Sequence, residues 1–436
     1  MKPPQTIEQL YQILQHKKSN KQKQTYRFTT LLTLFNICIP PSQVIKIAGT
    51  NGKGSVAAML EAMAIADNKT VVLFTSPHLY HITERFRING QEIEPKLLNT
   101  IVQNISPKLL NIIQQKGEDM FPSFFEVLTI ISLEIFKIYK GDLIILEAGI
   151  GGYNDVVHLI DGDLSAITSI GLDHTDKLGS TLSEIATDKV GIASKNSTLV
   201  LSSDIDDLAK NSILQDAKQR NIKIIQANQK NFRVELLGLK GYQITLDSLS
   251  LILPLVGAFQ INNFVTAKTI FEQLIIHNII DNFGSLQGVS NLYWPGRMEV
   301  IGHNPTWILD GAHNLDAMEK VFTEISNLLQ EQQLFILLGL SDHNNPNDII
   351  PYIDKLIKPI THSIYLTSGF YRSIKPENYR LLLSQKLYNI TIFDHYESAM
   401  NNLFNHHQNR TNQLILIIGS LFLIGGCREY LLSKLR

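Results

Sequence analysis

Cysteine is almost absent. The 436 residues contain two, Cys38 and Cys427, and neither belongs to a C-x-x-C pair. That excludes a disulfide framework and a structural zinc site of the usual spacing, and it suits a reducing compartment. An excess of charge of either sign is also missing. Lys and Arg number 39 against 40 Asp and Glu, a formal net charge of −1. Such a balance carries no basic footprint for nucleic acid and no acidic tail. No long hydrophobic run is present. The most apolar stretch, residues 414–424, is interrupted at Gly419-Ser420, and a membrane-spanning helix needs roughly 20 apolar residues. Residues 1–14 lack a charged segment followed by an apolar core, so no cleaved signal peptide is expected. The expectation is a cytoplasmic protein that binds neither nucleic acid nor membrane, long enough for two or three domains.

What is there is an α/β pattern. Short continuous apolar runs at 44–48, 71–74, 143–146, 166–170, 198–201 and 222–225 read as strands buried on both faces of a mostly parallel sheet. Helices are expected at 56–66, 182–194 and 206–220. Residues 232–236, 242–246 and 249–253 follow one another too closely for intervening helices, so they predict a small antiparallel patch. A helix at 260–275 comes next, and Tyr293-Trp294-Pro295-Gly296 breaks the pattern. Beyond it, strand candidates at 307–309, 334–338, 363–366, 390–393 and 414–418 start 24–29 residues apart, close to the roughly 30 residues of a βαβ step. Helices are expected between them at 317–329, 348–357 and 377–385. The prediction is an N-terminal P-loop ATPase-like domain over 1–296 and a smaller Rossmann-like domain over 297–436. The polar, basic run 16–23 reads as a solvated loop.

Gly49-Thr50-Asn51-Gly52-Lys53-Gly54-Ser55 lies between the first expected strand and helix. Glycines let backbone N–H groups converge on phosphate oxygens, and the helix start adds partial positive charge. Lys53 can reach terminal phosphates and Ser55 can ligate a divalent metal. The spacing departs from the ordinary G-x-x-x-x-G-K-[ST], because Gly54 separates the lysine from the serine.

This loop resembles that of the Mur ligase superfamily, and the glycine after the lysine is similar to its folylpolyglutamate synthase and dihydrofolate synthase branch. Further segments resemble that branch in order along the chain. They are Thr75-Ser76-Pro77-His78 with Glu84-Arg85-Phe86-Arg87, Ser123-Phe124-Phe125-Glu126, Leu146-Glu147-Ala148-Gly149-Ile150-Gly151-Gly152, Ser169-Ile170-Gly171-Leu172-Asp173-His174-Thr175, Asp188-Lys189-Val190-Gly191-Ile192, Gln260 with Asn263, Pro295-Gly296-Arg297 and Asp310-Gly311-Ala312-His313-Asn314. Three places depart from the branch. Tyr153 stands where arginine is common, Val156-Val157-His158 interrupts a DATN segment, and residues 339–345 lack a lysine.

The resemblance implies an ATP-dependent amide ligase. It would join L-glutamate to dihydropteroate, to the glutamate tail of reduced folates, or to both, through an acyl phosphate. Gly49 to Ser55, Asn263, Arg297 and Asp310 would hold ATP. Ser55, Ser76, Glu147 and His174 would hold Mg²⁺ or Mn²⁺. Lys189 would be carbamylated, because a bare ammonium cannot ligate a cation. Ser123, Phe124 and Asp155 would meet the pteroate or folate. His313 and Ser420, the latter at a helix start that suits carboxylates, would meet glutamate, and Lys53, His174, Lys189 and His313 would carry catalysis. Read without the resemblance, Lys189 suits a surface helix, Phe124 suits core packing and Gly419-Ser420 suits a plain helix cap. Three other readings stand beside it: a murein-precursor ligase, a P-loop switch that hydrolyses nucleotide, and a nucleotide-binding protein without catalysis. Only 48 residues precede the loop, few for the extra domain of a murein ligase. Two domains closing on each other need no partner, so a monomer is expected. Lys53→Ala should abolish glutamate-dependent ADP release in a coupled assay, and full activity without that lysine would contradict the reading.

Overall fold

The computed structural model describes residues 3–15, 20–229, 232–246, 249–329, 332–342, 345–357, 361–383 and 389–435. Part of the basic run, residues 16–19, lies outside them. Its remainder, Lys21–Lys23, is an exposed 3-10 turn capped by Asn20. Two units divide the chain. The first comprises Met1–Pro77, Ile82–Asn231 and Asn262–Leu292, and the second His78–His81, Phe232–Ile261 and Tyr293–Arg436.

The first unit is built on strands β1 (Val44–Ala48), β2 (Val71–Phe74), β3 (Phe86–Ile88), β4 (Gln91–Glu92), β5 (Leu143–Glu147), β6 (Leu164–Ile167), β7 (Thr198–Leu201) and β8 (Lys223–Gln226). Their order is β4-β3-β2-β5-β1-β6-β7-β8. All pairings are parallel except those of β2 with β3 and β3 with β4. Every residue of β1, β2, β5, β6 and β7 is buried, as continuous apolar runs require of strands covered on both faces. The order reverses around β1, which has β5 on one side and β6 on the other. A sheet of this kind opens a crevice at the carboxyl ends of such strands.

Helices α1 (Ile7–Gln15), α2 (Gln24–Leu34), α3 (Lys53–Ala66), α4 (Pro95–Lys116), α5 (Phe124–Tyr139), α6 (Thr175–Leu178), α7 (Leu182–Lys189), α8 (Asp207–Gln219) and α9 (Phe259–Ile276) follow in chain order. The core joins side chains of β1, β2, β5 and β7 to α1, α2, α4, α5 and α8. Ser123 and Glu126 form a reciprocal cap at the start of α5, which satisfies two backbone donors that the helix cannot.

Glu126 does more than cap. Arg27 on α2 donates Nε to its Oε1 at 3.0 Å and Nη2 to its Oε2 at 3.0 Å, and both side chains are fully buried. Arg27 also donates Nη1 to the carbonyls of Asn20 and Asp119. A buried pair of this kind costs desolvation when made and much more when one partner is lost.

The expected antiparallel patch is β9 (Phe232–Leu236), β10 (Tyr242–Leu246) and β11 (Leu249–Leu253), in the order β11-β10-β9. It belongs to the second unit. That unit's main sheet holds β12 (Glu299–Ile301), β13 (Thr306–Leu309), β14 (Gln333–Leu338), β15 (Thr361–Thr367), β16 (Asn389–Phe393) and β17 (Gln413–Ile418), in the order β12-β13-β17-β14-β15-β16. β12 alone is antiparallel. Helices α10 (Leu315–Leu328), α11 (Pro346–Ile357), α12 (Tyr396–His407) and α13 (Leu421–Leu435) complete it. Alternate residues of β13, β14 and β17 feed two cores. Ile308, Ile336 and Leu416 enter one, and Trp307, Phe335 and Ile415 the other.

Three expected elements are corrected. Strand 166–170 ends at Ile167, so Thr168 and Ser169 turn toward the loop after β1. Helix 182–194 stops at Lys189, and Val190–Ile192 is a 3-10 turn. A Cβ on Gly191 there would collide with Tyr153. Over 377–383 the helix is replaced by 3-10 turns Pro376–Asn378 and Arg380–Leu382, and residues 384 and 385 lie outside the described residues. Tyr379, with φ of −134°, leaves the helical region between the two turns and interrupts the run. Tyr379 is fully buried while Leu381 faces solvent.

Arg27→Met should destabilise the protein by about 3–5 kcal/mol, since it strands a buried carboxylate. Urea unfolding followed by circular dichroism reads this, and an unchanged midpoint would contradict it.

Candidate active site

The loop after β1 is closed by its neighbours. Thr50 donates its N–H to the Ser169 carbonyl at 2.9 Å, and its hydroxyl accepts the Gly171 N–H at 2.9 Å. The Ser169 hydroxyl accepts the Asn51 N–H at 2.8 Å, and Thr168 donates its hydroxyl to the Asn51 carbonyl at 2.6 Å. Gly49 and Gly52 have φ of +152° and +84°, a region glycine enters without strain. Space is equally restrictive. A Cβ on Gly49 would collide with the Thr168 hydroxyl, and one on Gly52 with the Asn263 amide oxygen. Asn263 on α9 therefore lies against the loop. Lys53 opens α3 and folds back, donating Nζ to the carbonyls of Gly49 (3.0 Å) and Thr50 (3.1 Å). Gly54 and Ser55 follow it, buried, in the first turn of α3.

The other candidate ligands sit at the same carboxyl edge. Glu147 ends β5 in register with Ile47 of β1. It is buried, and its Oε2 accepts the Ser76 N–H at 3.0 Å. His174 precedes α6 with φ of +49°, and its N–H is held by the Asp173 carboxylate at 2.8 Å. Lys189 is the last residue of α7 and only 3% exposed. Burial, assisted by the positive charge of Lys53, pushes its pKa down to about 7, against the pull of Asp173, Asp188 and Asp155.

Two carboxylates organise the turn after β5. Asp188 accepts the N–H groups of Gly152 (2.7 Å) and Asn154 (3.2 Å). Asp155 accepts those of Gly149 (2.8 Å), Ile150 (3.0 Å) and Val157 (2.9 Å). Burial raises the Asp155 pKa to about 6, against those three bonds and the charge of Lys53. Both of its oxygens are thus engaged by backbone. Ser123 is likewise engaged, as the cap of α5. Phe124 meets Tyr11 edge-on at 4.6 Å.

The residues that depart from the family pattern pack beside the turn after α7. The His158 ring nitrogen Nδ1 lies 2.8 Å from the Gly191 carbonyl. The Tyr153 hydroxyl donates to Asp216 at 3.1 Å, and Arg220 lies over the Tyr153 ring at 5.1 Å. Of the segment 339–345, His343 and Asn344 lie outside the described residues.

The second unit gathers its own candidates at one sheet edge. Asp310 follows β13, is buried, and accepts the N–H groups of Met298 (2.8 Å) and Ala312 (2.7 Å). Its pKa is raised by burial and drawn back first by Arg297, so those two charges are neighbours. His313 Nδ1 lies 2.8 Å from the Gly311 carbonyl. The Gly419 N–H donates to the Ala312 carbonyl at 3.1 Å, joining this turn to the one after β17. Ser420 is buried there and accepts the Ser341 hydroxyl at 2.8 Å.

Hydroxyls, a carboxylate and an imidazole suit a hard divalent cation such as Mg²⁺ or Mn²⁺. Among the described residues, no three His, Cys, Asp or Glu side chains form a ready-made cluster. Among the described residues no helix is long and apolar enough to cross a membrane.

Sequence reasoning missed Thr168, which was hidden inside an expected strand, and Ser341. Ser169 and Asp188 belong to segments that the resemblance picks out, but their bonds to Asn51 and to the turn after β5 were not foreseen.

A nucleotide-type loop on one α/β unit and a carboxylate-suited edge on another define an acid–amino-acid ligase. The family model described as Mur ligase, glutamate ligase domain, matches residues 296–421. The dihydrofolate synthase/folylpolyglutamate synthase of Buchnera aphidicola subsp. Baizongia pistaciae is 30% identical over 401 residues, 90% of this chain and 87% of that protein. The chain belongs to the dihydrofolate synthase/folylpolyglutamate synthase family. A probable bifunctional folylpolyglutamate synthase/dihydropteroate synthase of Haloferax volcanii is 30% identical over 336 residues. The match covers 74% of this chain but only 39% of that protein, so this chain spans about two-fifths of it. Folylpolyglutamate synthase of Mycobacterium tuberculosis, complexed with ADP and AMPPCP, shares the fold, with a TM-score of 0.86, 24% identity and 98% coverage of both chains.

Gly52→Ala should weaken ATP-analogue binding by tenfold or more in titration calorimetry. Gly90→Ala makes the control. Its φ is +79°, but the nearest atom, Ile65 Cδ1, would be 3.5 Å from the new Cβ. Equal effects of the two would show that backbone strain alone acts, and would contradict the steric account.

Proposed function

We propose that this protein is an ATP-dependent amide ligase joining L-glutamate to dihydropteroate, to the glutamate tail of reduced folates, or to both. Residues 1–296 bind ATP and the pteroate or folate, and residues 297–436 bind glutamate. The observation that carries the reading is Lys53, held by loop carbonyls beside a buried lysine of depressed pKa. The family likeness supports the choice of substrates.

Joining a carboxylate to an amine requires the carboxylate to be activated. ATP does so by transferring its γ-phosphoryl group to a carboxylate oxygen, giving an acyl phosphate and ADP. The loop N–H groups and the start of α3 bind the phosphates. Lys53 exchanges the Gly49 and Thr50 carbonyls for γ-phosphate oxygens, where developing charge is greatest. Asn263 contacts the nucleotide beside Gly52. Asp310 fixes Arg297, whose planar fork suits phosphate.

Ser55, Ser76, Glu147, His174 and Lys189 would hold the divalent cation, which when bound offsets the repulsion between phosphate and carboxylate. Lys189 joins that set as a carbamate. Its neutral amine adds to CO₂ and releases one proton, which leaves an anion. A pKa near 7 keeps enough neutral amine for this at physiological pH.

Glutamate binds near the start of α13, with Ser420 and His313 beside it. His313 has Nδ1 against the Gly311 carbonyl. Its imidazole takes the proton lost as the glutamate amine attacks the acyl phosphate, and phosphate leaves. Asp155 and Ser123 meet the pteroate or folate from the turn and helix start that they also shape, and Phe124 stacks on the pterin.

The test is ADP release with Mg²⁺ and ATP, with and without glutamate, offering dihydropteroate and reduced folate separately. Mass spectrometry identifies the product. Release that requires glutamate and at least one acceptor is expected, with a product heavier by one glutamyl residue. Release indifferent to both acceptors would contradict the ligase and favour a nucleotide-hydrolysing switch.

A further inference from the structure

An aromatic cluster on the second unit has no part in the chemistry described so far. Phe422, the second residue of α13, meets His78 edge-on with ring centroids 6.0 Å apart, and Tyr371 edge-on at 4.9 Å. Tyr80 meets His81 edge-on at 4.8 Å. Tyr371 is 53% exposed and Tyr80 50%. The cluster is built rather than scattered. Residues 78–81 lie close against α13 because Gly425 lacks a side chain, and a Cβ there would collide with the Leu79 carbonyl. Tyr371 is followed two residues later by Ser373, which bridges to Ser341. Ser341 in turn holds Ser420, two residues before Phe422. The rings therefore border the place proposed for glutamate.

That position has a chemical consequence. At attack, the glutamate amine lies about 3–3.5 Å from the carboxyl carbon it joins. In dihydropteroate this carbon is bonded directly to a benzene ring. In a folate tail it ends an aliphatic side chain, many bonds from the ring. Aromatic rings beside the amine are therefore matched to the first acceptor, because a benzene ring packs on them edge-to-face or offset.

We propose that Phe422 and Tyr371, flanked by His78, form an aryl subsite for the benzoyl ring of dihydropteroate. The subsite favours the first glutamate addition over tail extension. The inference rests on the ligase reading and on glutamate binding at the start of α13.

The test uses the full chain and three proteins: wild type, Tyr371→Ala and Tyr371→Phe. Tyr371 is exposed, so neither substitution threatens folding. Tyr371→Ala should lower kcat/KM for dihydropteroate about five- to tenfold. It should leave kcat/KM for reduced folate diglutamate within about twofold and the KM for ATP unchanged. Tyr371→Phe keeps the ring and should retain wild-type values. If the wild type takes dihydropteroate alone, the same loss with an unmoved ATP KM supports the subsite. Equal losses with both acceptors, or no loss with dihydropteroate, overturn it. A wild type that extends folate tails but refuses dihydropteroate also overturns it, while the ligase reading stands. A wild type with no glutamate-dependent turnover overturns the ligase reading, and the subsite with it.

Discussion

Two lysines share one buried, largely anionic corner at the carboxyl edge of the first sheet. Lys53 sits on a loop whose own carbonyls hold it. Lys189, on α7, loses the preference for charge because burial and Lys53 both oppose it. Asp155, Asp173 and Asp188 pull the other way, but desolvation is the largest effect. Much of the surrounding structure serves this arrangement. Asp188 and Asp155 spend their hydrogen bonds on the turn after β5 rather than on Lys189. Neither forms a close ion pair that would restore the ammonium.

The same economy shapes the phosphate loop. Thr168 and Ser169 sit too close to the loop for any residue but glycine at position 49, and Asn263 does the same at position 52. The loop is thus fixed before a ligand arrives, with Lys53 held in reserve. In the proposed mechanism binding exchanges its two carbonyl partners for phosphate oxygens, without the entropic cost of ordering the loop. In the second unit the corresponding constraint is Asp310, whose buried carboxylate is tied to two N–H groups and faces Arg297.

Much of this was legible in the sequence, for identifiable reasons. Continuous apolar runs located the buried parallel strands, since few other structures use them. The three close-spaced runs after residue 232 located the antiparallel patch. Other parts were not read. The β3–β4 hairpin turns on Asn89-Gly90, both at positive φ, a strong local signal that the surrounding charged residues obscured. The 3-10 turns around Tyr379 depend on burying one ring, which no periodicity records. Asp155 and Ser123 read as substrate contacts from motif position. That both also accept backbone N–H groups of their own turn and helix start was not legible, because only three-dimensional placement reveals it. Tyr153 and His158 looked like losses against the family pattern. Both pack against the turn that ends α7, so their substitution has a structural counterpart on the side of Lys189.

The central claim is that Lys189 is substantially uncharged near neutral pH. ¹³C NMR of the protein labelled at lysine Cε, titrated from pH 5 to 11 in CO₂-free buffer, tests it directly. Lys46, also buried and also lowered to about 7, supplies a second shifted resonance, and Lys189→Met assigns the first. The account predicts that the resonance lost in Lys189→Met titrates near 7. A Lys189 midpoint near the ordinary 10.4 for lysine would contradict it.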